Sequence, residues 1–343
     1  MAEYILLVAD VENSGLLSKS SLEALSAAKR LVESIPASRF AVALVGEKVE
    51  AAMDQVATCG ADRFLAVEGA DFAQSRYGTD ALAVEALVKA AQATVVVAPA
   101  NSRWNRVLPG VAHRLNGRVD THVTSFTIAG GNLEINRWYY RQRMEATLKR
   151  AQRPWVVLLE SGFLAAWIGA SGKAPIEKIN PAITDSLRRT SAIGIKAPVS
   201  DQQTIRPEAE LLFVAGAGWT KKQPDGQTHV PDAEKLILGF IRKTRSSLGS
   251  SKSLVDLGGE GQAILSFLSH LNQIGQTGAT PRHAKGLSTC CHGEEPHTVG
   301  WRFISERRAI NLDPNCGWAR GKADVLYVAD AFKVITLLNE MLK

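Results

Sequence analysis

The chain has 343 residues, of which 45% are hydrophobic and 22% are charged, and its formal net charge is +6. This composition is that of a soluble globular protein, and the length favours two domains over one. Four cysteines are too few for a disulfide framework, the apolar runs are too short to span a membrane, and no targeting signal is visible, so we expect a cytoplasmic protein or a processed matrix protein.

The excess of basic residues is scattered along the chain. Local clusters occur at RWYYRQR, LKRAQR and SLRR, and no nucleic-acid-binding motif accompanies them. We therefore expect a solvated basic surface and no nucleic acid partner. The alternative is a docking face for an acidic protein.

Strand-like and helix-like runs alternate through the first half of the chain. In order, they are YILLVAD, SLEALSAAKRLVESI, FAVALVG, KVEAAMDQVAT, RFLAVEG, TDALAVEALVKAAQ, ATVVVAPA and RWNRVLPGVAHRL. This alternation predicts an α/β domain with a mostly parallel sheet. Shorter alternating strands follow, from THVTSFTIAG to RPWVVLLESG, and predict an antiparallel edge to the sheet.

The second half of the chain predicts a smaller domain of the same class. Residues 171–208 are rich in proline, serine and glycine, which is typical of a linker between an N-terminal domain, 1–170, and a C-terminal domain, 209–343. The strand-like runs of the C-terminal domain are LLFVAGAGWTK, SLVDLGG, RRAINLDP and ADVLYVAD. Its helix-like runs are DAEKLILGFIRKTRSSLG, QAILSFLSHL and AFKVITLLNEMLK. We predict a doubly wound α/β unit.

Three glycine-containing junctions in this domain suggest a nucleotide. They are AGAGWTKK, GSSKSLVD and IGQTGATP. Small residues let the backbone approach phosphates, and free amides at a helix N-terminus favour anions. None of the three is a full dinucleotide fingerprint or a P-loop, and ordinary tight turns are the alternative. Their occurrence together in one domain favours the nucleotide interpretation.

A cysteine- and histidine-rich stretch, CCHGEEPH at 290–297, raises two further hypotheses. Zinc sites use spaced pairs of ligands, and adjacent cysteines rarely reach one ion, so a metal site formed with His283 or Cys316 is disfavoured. A catalytic thiol with a neighbouring histidine as base is equally disfavoured against small buried thiols. We therefore predict neither a metal site nor a catalytic residue.

The ordered set of motifs resembles the α subunit of electron transfer flavoproteins over nearly the whole chain. In the first domain the resemblance rests on SGLLSKSSLEALSAAKRL, VVAPANSRWNRVLPGVAHRL and VDTHVTSF. In the second it rests on RPEAELLFVAGAGWTK, GSSKSLVD, IGQTG, INLDP and ADVLYVADAFKVI. The family's fold is an N-terminal α/β domain followed by a C-terminal domain that binds FAD.

The resemblance implies an electron carrier rather than a substrate-converting enzyme. Family members form a heterodimer with a β subunit, which the N-terminal domain contacts. They collect electrons from flavin-dependent dehydrogenases and pass them to a membrane quinone oxidoreductase. The redox chemistry belongs to the FAD, and the protein tunes it.

The resemblance also implies which residues hold the flavin ring. Gln276 and Thr277 occupy the family's Gly-Gln-Thr-Gly, in which the threonine hydroxyl faces the flavin N5. His297 falls at the family's histidine near the flavin O2. The family has Gly-Ile-Ser-Gly-Ala-Ile-Gln-His where this chain has CCHGEEPH, so only Gly293 and His297 are kept. Glu294 and Glu295 add negative charge, which would oppose reduction of the flavin to its anionic form unless their side chains face away from it.

Four further positions are implied to contact FAD. Ser251 matches a serine near the diphosphate, and Asn311 and Asp330 match positions around the adenosine. Lys252 replaces an arginine; it supplies a positive charge, but it has no planar guanidinium to lie over the flavin ring. A second family arginine, in Gly-Arg-Gly, is replaced by Ala217. These departures motivate the alternative function, a flavin-free or nucleotide-only interaction subunit derived from the same family.

Overall fold

The structure of the protein is a computed structural model that describes residues 3–130, 132–139, 144–191, 193, 205–206, 209–256, 263–274, 283–289, 304–315 and 323–342. The chain divides into two compact units, Met1–Ile195 and Lys196–Lys343.

The first unit is an α/β fold built on one large sheet. Its elements are β1 (Tyr4–Asp10), α1 (Lys19–Ser34), β2 (Arg39–Gly46), α2 (Glu50–Gln55), β3 (Arg63–Glu68), α3 (Tyr77–Ala91), β4 (Val95–Pro99), α4 (Ser102–Arg114), β5 (Arg118–Ala129), β6 (Asn132–Tyr139), β7 (Met144–Lys149), β8 (Trp155–Leu159) and β9 (Ile176–Lys178), with 3-10 helices at Ala70–Phe72 and Asp185–Arg188. Within the described residues the strand order is β7-β6-β5-β8-β4-β1-β2-β3-β9. The β5–β6 and β6–β7 pairs are antiparallel and the others are parallel. The predicted mostly parallel sheet is confirmed, as is an antiparallel edge, which β5, β6 and β7 form. The run RPWVVLLESG was predicted to belong to that edge, but it forms β8, which lies between β4 and β5 and is parallel to both.

Hydrophobic side chains cover both faces of this sheet. Helices α1 and α2 pack on one face, and α3 and α4 pack on the other. Every residue of β4 and of β8 is buried, which explains why these strands are uninterrupted apolar runs.

Part of the predicted linker lies against the first unit. Strand β9 pairs with β3, with Phe64 opposite Ile176. The 3-10 helix Asp185–Arg188 approaches α3 so closely that a Cβ on Gly78 would lie 2.5 Å from the carbonyl oxygen of Leu187. Arg188 holds this segment by hydrogen bonds of 2.8 Å to both carboxylate oxygens of Asp71. The domain boundaries stay a prediction.

The second unit is built on a parallel sheet. Its elements are β10 (Leu211–Ala215), α5 (Val230–Thr244), β11 (Ser247–Ser250), α6 (Lys252–Asp256), β12 (Lys285–Thr289), β13 (Glu306–Asn311), β14 (Val325–Val328) and α7 (Ala331–Met341), with 3-10 helices at Ala217–Trp219 and His270–Asn272. Within the described residues the strand order is β11-β10-β12-β13-β14, and every neighbour is parallel. Helices α5 and α7 share one hydrophobic cluster with the strands. The predicted α/β class is confirmed for both units.

Three predictions of secondary structure in this unit are wrong. Helix α5 ends at Thr244, because Arg245 adopts a left-handed conformation with a φ of 52°, and the predicted helical tail forms β11 instead. The run SLVDLGG was predicted as a strand, but Lys252–Asp256 is helical. The run QAILSFLSHL was predicted as a helix, and its described residues, 263–271, form turns and the start of a 3-10 helix.

Candidate functional site

The strand order of the second unit creates a topological switch point. Strand β10 lies between β11 and β12, so the connections leaving β10 and β11 run in opposite directions across the sheet. In open parallel sheets ligands bind outside the carboxyl ends of the strands at such a point. We refer to the carboxyl ends of β10 to β14, with the residues that directly follow them, as the carboxyl edge.

The structure brings four of the predicted cofactor residues to this carboxyl edge. Ser251 and Lys252 directly follow β11, Asn311 is the last residue of β13, and Asp330 stands two residues after β14. The other four predicted residues lie outside the described residues, as do the cysteines of CCHGEEPH; the four are Gln276, Thr277, Gly293 and His297.

The end of β11 carries two buried hydroxyl groups. The backbone N–H of Ser251 donates to the carbonyl of Ala215 at 2.9 Å, which ties the ends of β10 and β11 together. Ser251 Oγ accepts from the N–H of Leu254 at 3.3 Å and so caps the short helix α6. The neighbouring Ser250 is fully buried, and its Oγ has no hydrogen-bond partner among the described residues. Lys252 remains about half exposed, with its Nζ 3.8 Å from Asp256.

Asn311 and Asp330 each shape the backbone beside the site. Asn311 Oδ1 accepts from the N–H of Asp313 at 3.0 Å, which turns the chain at the end of β13. Asp330 Oδ1 accepts from the N–H of Phe332 at 2.9 Å and caps helix α7. Both polar side chains are thus held in fixed positions at the carboxyl edge.

A tryptophan that the sequence analysis did not single out connects two of the strand ends. Trp219 is fully buried, and its Nε1 donates to Thr289 Oγ1 at 2.8 Å. Thr289 Oγ1 donates in turn to the carbonyl of Val214 at 3.1 Å, and the Trp219 ring lies 4.6 Å from that of Phe332. The 3-10 helix Ala217–Trp219 is therefore fixed across β10 and β12. The sequence contained a signal for it, since this tryptophan directly follows the Gly-Ala-Gly turn.

A histidine with a raised pKa precedes α5 at the same edge. His229 Nε2 lies 2.6 Å from Asp225 Oδ2, and this hydrogen bond raises the pKa of the imidazole. Asp232 Oδ2 lies 3.4 Å from the other ring nitrogen. The pKa of Asp225 is lowered, first by the N–H of Gln227 and then by His229. The imidazole is 6.5 Å from the Phe332 ring, so it lies beside the start of α7.

The described residues contain neither a metal-binding cluster nor a membrane-spanning helix. No group of three or more His, Cys, Asp or Glu side chains in this part of the chain is arranged to hold a metal ion. His283, one of the ligands considered, has its Nε2 2.8 Å from the carbonyl oxygen of Arg206. No described helix combines the length and apolarity that a membrane crossing requires.

Comparison with known proteins identifies the family. The model of the electron transfer flavoprotein domain matches residues 5–184, just over half of the chain. The chain belongs to this family. It is also 26% identical, over 247 residues, to the electron transfer flavoprotein subunit alpha of Bradyrhizobium diazoefficiens (strain USDA 110). The aligned region covers 71% of this chain and 70% of that protein. The resemblance stated from the motifs is confirmed, and with it an electron transfer flavoprotein role.

Proteins of this family generally bind flavin, and the described carboxyl edge fits the non-ring half of such a group. Ser250 offers a buried hydroxyl that has no hydrogen-bond partner within the described part of the chain, and Lys252, two positions further on, offers a positive charge that suits a phosphate. Asn311 and Asp330 supply an amide and a carboxylate, which suit ribose hydroxyls and an adenine edge. The position of the family's arginine holds Ala217, which is only 3% exposed.

Proposed function

We propose that this chain is the α subunit of an electron transfer flavoprotein that holds FAD along the carboxyl edge of its second sheet. In this proposal it forms a heterodimer with a β subunit, works in the cytoplasm, and carries electrons from flavin-dependent dehydrogenases to a membrane quinone oxidoreductase. The observation that carries the proposal is that Ser251, Lys252, Asn311 and Asp330 all stand at or just after the carboxyl ends of strands in one parallel sheet with a switch point.

The bound FAD supplies the redox chemistry, and the residues of this chain orient the cofactor and set the charge around it. Lys252 neutralises the diphosphate as a point charge on a flexible stem. The hydroxyls of Ser250 and Ser251 donate to the same region. Asn311 and Asp330 bind the adenosine half, since their backbones are already fixed by the turn and the helix cap.

At the ring end, the expected contacts come from Thr277 at the flavin N5 and His297 at the flavin O2. Gln276 directly precedes Thr277, and Gly293 lies with His297 in the run CCHGEEPH. A histidine beside the O2 edge stabilises negative charge on the reduced ring, and this would offset the two glutamates of CCHGEEPH.

The charge of Lys252 provides the sharpest test of FAD binding. In the heterodimer, Lys252→Met should weaken FAD binding roughly tenfold, because a charge-assisted hydrogen bond to phosphate is lost. Lys252→Arg, which restores the family's residue, should bind FAD at least as tightly as the unaltered chain. Lys235→Met, on the exposed surface of α5, removes the same charge elsewhere and should have no effect.

Asp330→Asn separates the cofactor role of this residue from its structural one. Asparagine caps a helix as well as aspartate does, so the stability of α7 should be kept while FAD affinity falls. The measurements are visible flavin absorbance after purification and FAD titration of the stripped heterodimer. A heterodimer that purifies without flavin and takes up none on titration would refute the proposal.

The buried alanine at position 217 favours a second candidate function. Ala217 is 3% exposed where the family carries an arginine near the cofactor. A nucleotide-only interaction subunit would bind ADP through Ser251 and Asn311 and would ignore the flavin. Isothermal titration with ADP and with FAD distinguishes the two, because the electron carrier must bind FAD more tightly than ADP.

A further inference from the structure

An apolar cleft lies on the second sheet, outside the carboxyl edge. It opens between α7 and the strands β10, β12, β13 and β14, and its volume is about 500 Å³. Its lining includes the first residues of β10, β12 and β13, whereas none of Ser251, Lys252, Asn311 and Asp330 lines it. The cleft is therefore distinct from the edge along which FAD is proposed to lie.

The walls of the cleft are aliphatic and remain partly open to water. Leu211 and Leu287 line it from the sheet, and Val334 and Leu338 line it from α7. All four are partly buried and pack against the hydrophobic core of this unit. Covering partly exposed apolar surface is favourable in proportion to the area that is removed from water. These walls therefore favour a ligand with an apolar body.

One cation that lines the cleft has no carboxylate partner among the described residues. Lys285 Nζ is paired with Glu210 at 2.6 Å, but Arg308 makes no such pair within this part of the chain. Instead, Arg308 Nη1 donates to the hydroxyl of Tyr327 at 3.5 Å, and both side chains are exposed. Because this hydroxyl accepts from Arg308, its own proton remains available for a ligand. We call Arg308 and Tyr327 the rim of the cleft.

The charges beside the rim suit a ligand with a single negative charge. A guanidinium donates two parallel N–H bonds to one carboxylate, and the tyrosine hydroxyl adds a third donor. Glu306 lines the cleft two residues before Arg308, on the same face of the sheet, and repels a second negative charge. A monocarboxylate therefore fits the rim better than a phosphate or a dicarboxylate does.

The size and shape of the cleft favour an aliphatic chain over a compact ring. An apolar cavity of about 150 Å³ holds one benzene molecule, so a cleft of about 500 Å³ has room for at least roughly ten carbon atoms. The lining extends from Leu211 on β10 to Tyr327 on β14, across three strand spacings or roughly 14 Å. An extended chain can follow this length while its carboxylate stays at the rim.

We propose that this cleft binds an aliphatic monocarboxylate of roughly ten carbon atoms, with its carboxylate on Arg308 and Tyr327 and its chain along Leu287 and Val334. The positive rim is complementary to the carboxylate, and the apolar walls are complementary to the chain. Because the cleft lies outside the carboxyl edge, this is a second binding site that goes beyond the proposed function.

Isothermal titration calorimetry of the full chain with decanoate, at concentrations below those at which decanoate forms micelles, tests this site. We expect saturable binding at one site. Arg308→Gln should weaken it roughly tenfold, because the charge-assisted hydrogen bonds are lost. Tyr327→Phe should weaken it several-fold, and Leu338→Trp should abolish it by filling the cleft. The matched control is Arg307→Gln. It removes the same charge at the adjacent position, where the side chain faces the other side of the sheet and pairs with Asp324, and it should leave binding unchanged.

A comparison of ligands tests the role of the carboxylate. The compound 1-decanol carries the same chain without the charge and should bind at least roughly tenfold more weakly than decanoate. Equal affinity for the two ligands would overturn the proposal, because the rim would then recognise no carboxylate.

Circular dichroism of each variant establishes that the second unit is folded. The proposal falls if the unaltered chain shows no saturable binding of decanoate, or if Arg308→Gln and Leu338→Trp bind decanoate as tightly as the unaltered chain. The proposed function is measured separately, by flavin absorbance, so either conclusion can fail without the other.

Discussion

Removal of Arg103 tests the buried ion pair that joins α3 and α4 in the first unit. Arg103 Nε and Nη2 donate to the two carboxylate oxygens of Asp80 at 2.9 and 2.6 Å, and Nη2 also donates to the carbonyl of Phe72 at 3.2 Å. Asp80 is fully buried and Arg103 is 8% exposed. Burial raises the pKa of Asp80, and Arg103 opposes this rise.

The expected magnitude follows from what Arg103→Met leaves behind. A buried carboxylate without its partner costs about 3–5 kcal/mol of unfolding free energy. The double variant Asp80→Asn with Arg103→Met removes both charges, and the new side-chain amide would still accept from the N–H of Arg76, so its cost should fall to about 1–2 kcal/mol. Lys89→Met breaks a matched pair with Glu85 in which the lysine is 63% exposed, and it should cost less than about 1 kcal/mol.

Urea unfolding followed by tryptophan fluorescence measures these differences, because Trp104 is fully buried beside Arg103. The pH dependence gives a second readout. A carboxyl group whose pKa is higher in the folded state than in the unfolded state favours folding most strongly at pH values below its unfolded-state pKa. That contribution to stability is lost as pH rises through the folded-state pKa. Without Arg103 the pKa of Asp80 rises further, so the deficit of Arg103→Met should shrink as pH falls from neutral into the acidic range. A deficit below about 1 kcal/mol at neutral pH, or one independent of pH, would refute this reasoning.

Two further predictions concern His229 and the 3-10 helix Asp185–Arg188 that lies against α3. Asp225→Asn should lower the pKa of His229 more than Asp232→Asn, because their carboxylate oxygens lie 2.6 and 3.4 Å from the ring nitrogens. NMR titration of His229 that gives equal pKa shifts in the two variants would contradict this order. The Asp225–His229 pair should stabilise the second unit at pH values below the imidazole's ordinary pKa of 6.5, and this stabilisation should be lost as pH rises through the raised pKa. Gly78→Ala would normally stabilise a helix by about 1 kcal/mol, but here the new Cβ would lie 2.5 Å from Leu187 O. We expect a lower melting temperature and faster proteolysis near Leu187, and a stabilised, uncleaved variant would count against the close approach.

Strand patterns predicted most of the first unit, because its central strands are buried on both faces. The run ATVVVAPA contains β4, whose residues Val95–Pro99 are all buried, and the run RPWVVLLESG contains the equally buried β8. Such runs are determined by local composition, so no knowledge of the partners of a strand is needed to recognise them.

Local patterns failed in the second unit where short elements meet. Ser247–Ser250 is a strand because it pairs with β10, although serine and glycine have low strand propensity. The helix Lys252–Asp256 begins where Ser251 Oγ accepts from the N–H of Leu254, in a segment that resembled a strand. Pairing and capping, which depend on neighbouring elements, overrode the propensity of these residues.

The candidate site also contains residues that the sequence predicted and residues that it did not. The motifs predicted Ser251, Asn311 and Asp330 as cofactor residues, and each stands at or just after a strand end. Trp219 and Thr289 were missed, because a tryptophan after a glycine turn has no distinctive spacing relative to a threonine 70 positions away.

The sequence by itself determined the family, the alternation of strands and helices, and the polar residues that stand at strand ends, because each depends on residue types at short spacing. The tertiary structure alone decided that the ends of β10 to β14 form one edge, since the strand order β11-β10-β12-β13-β14 is set by packing between elements. It also decided that Asp80 meets Arg103, 23 positions away, and that Arg137 and Arg150 share Asp120. Burial of a charge makes its partner indispensable, but which partner it finds depends on how the helices and strands assemble.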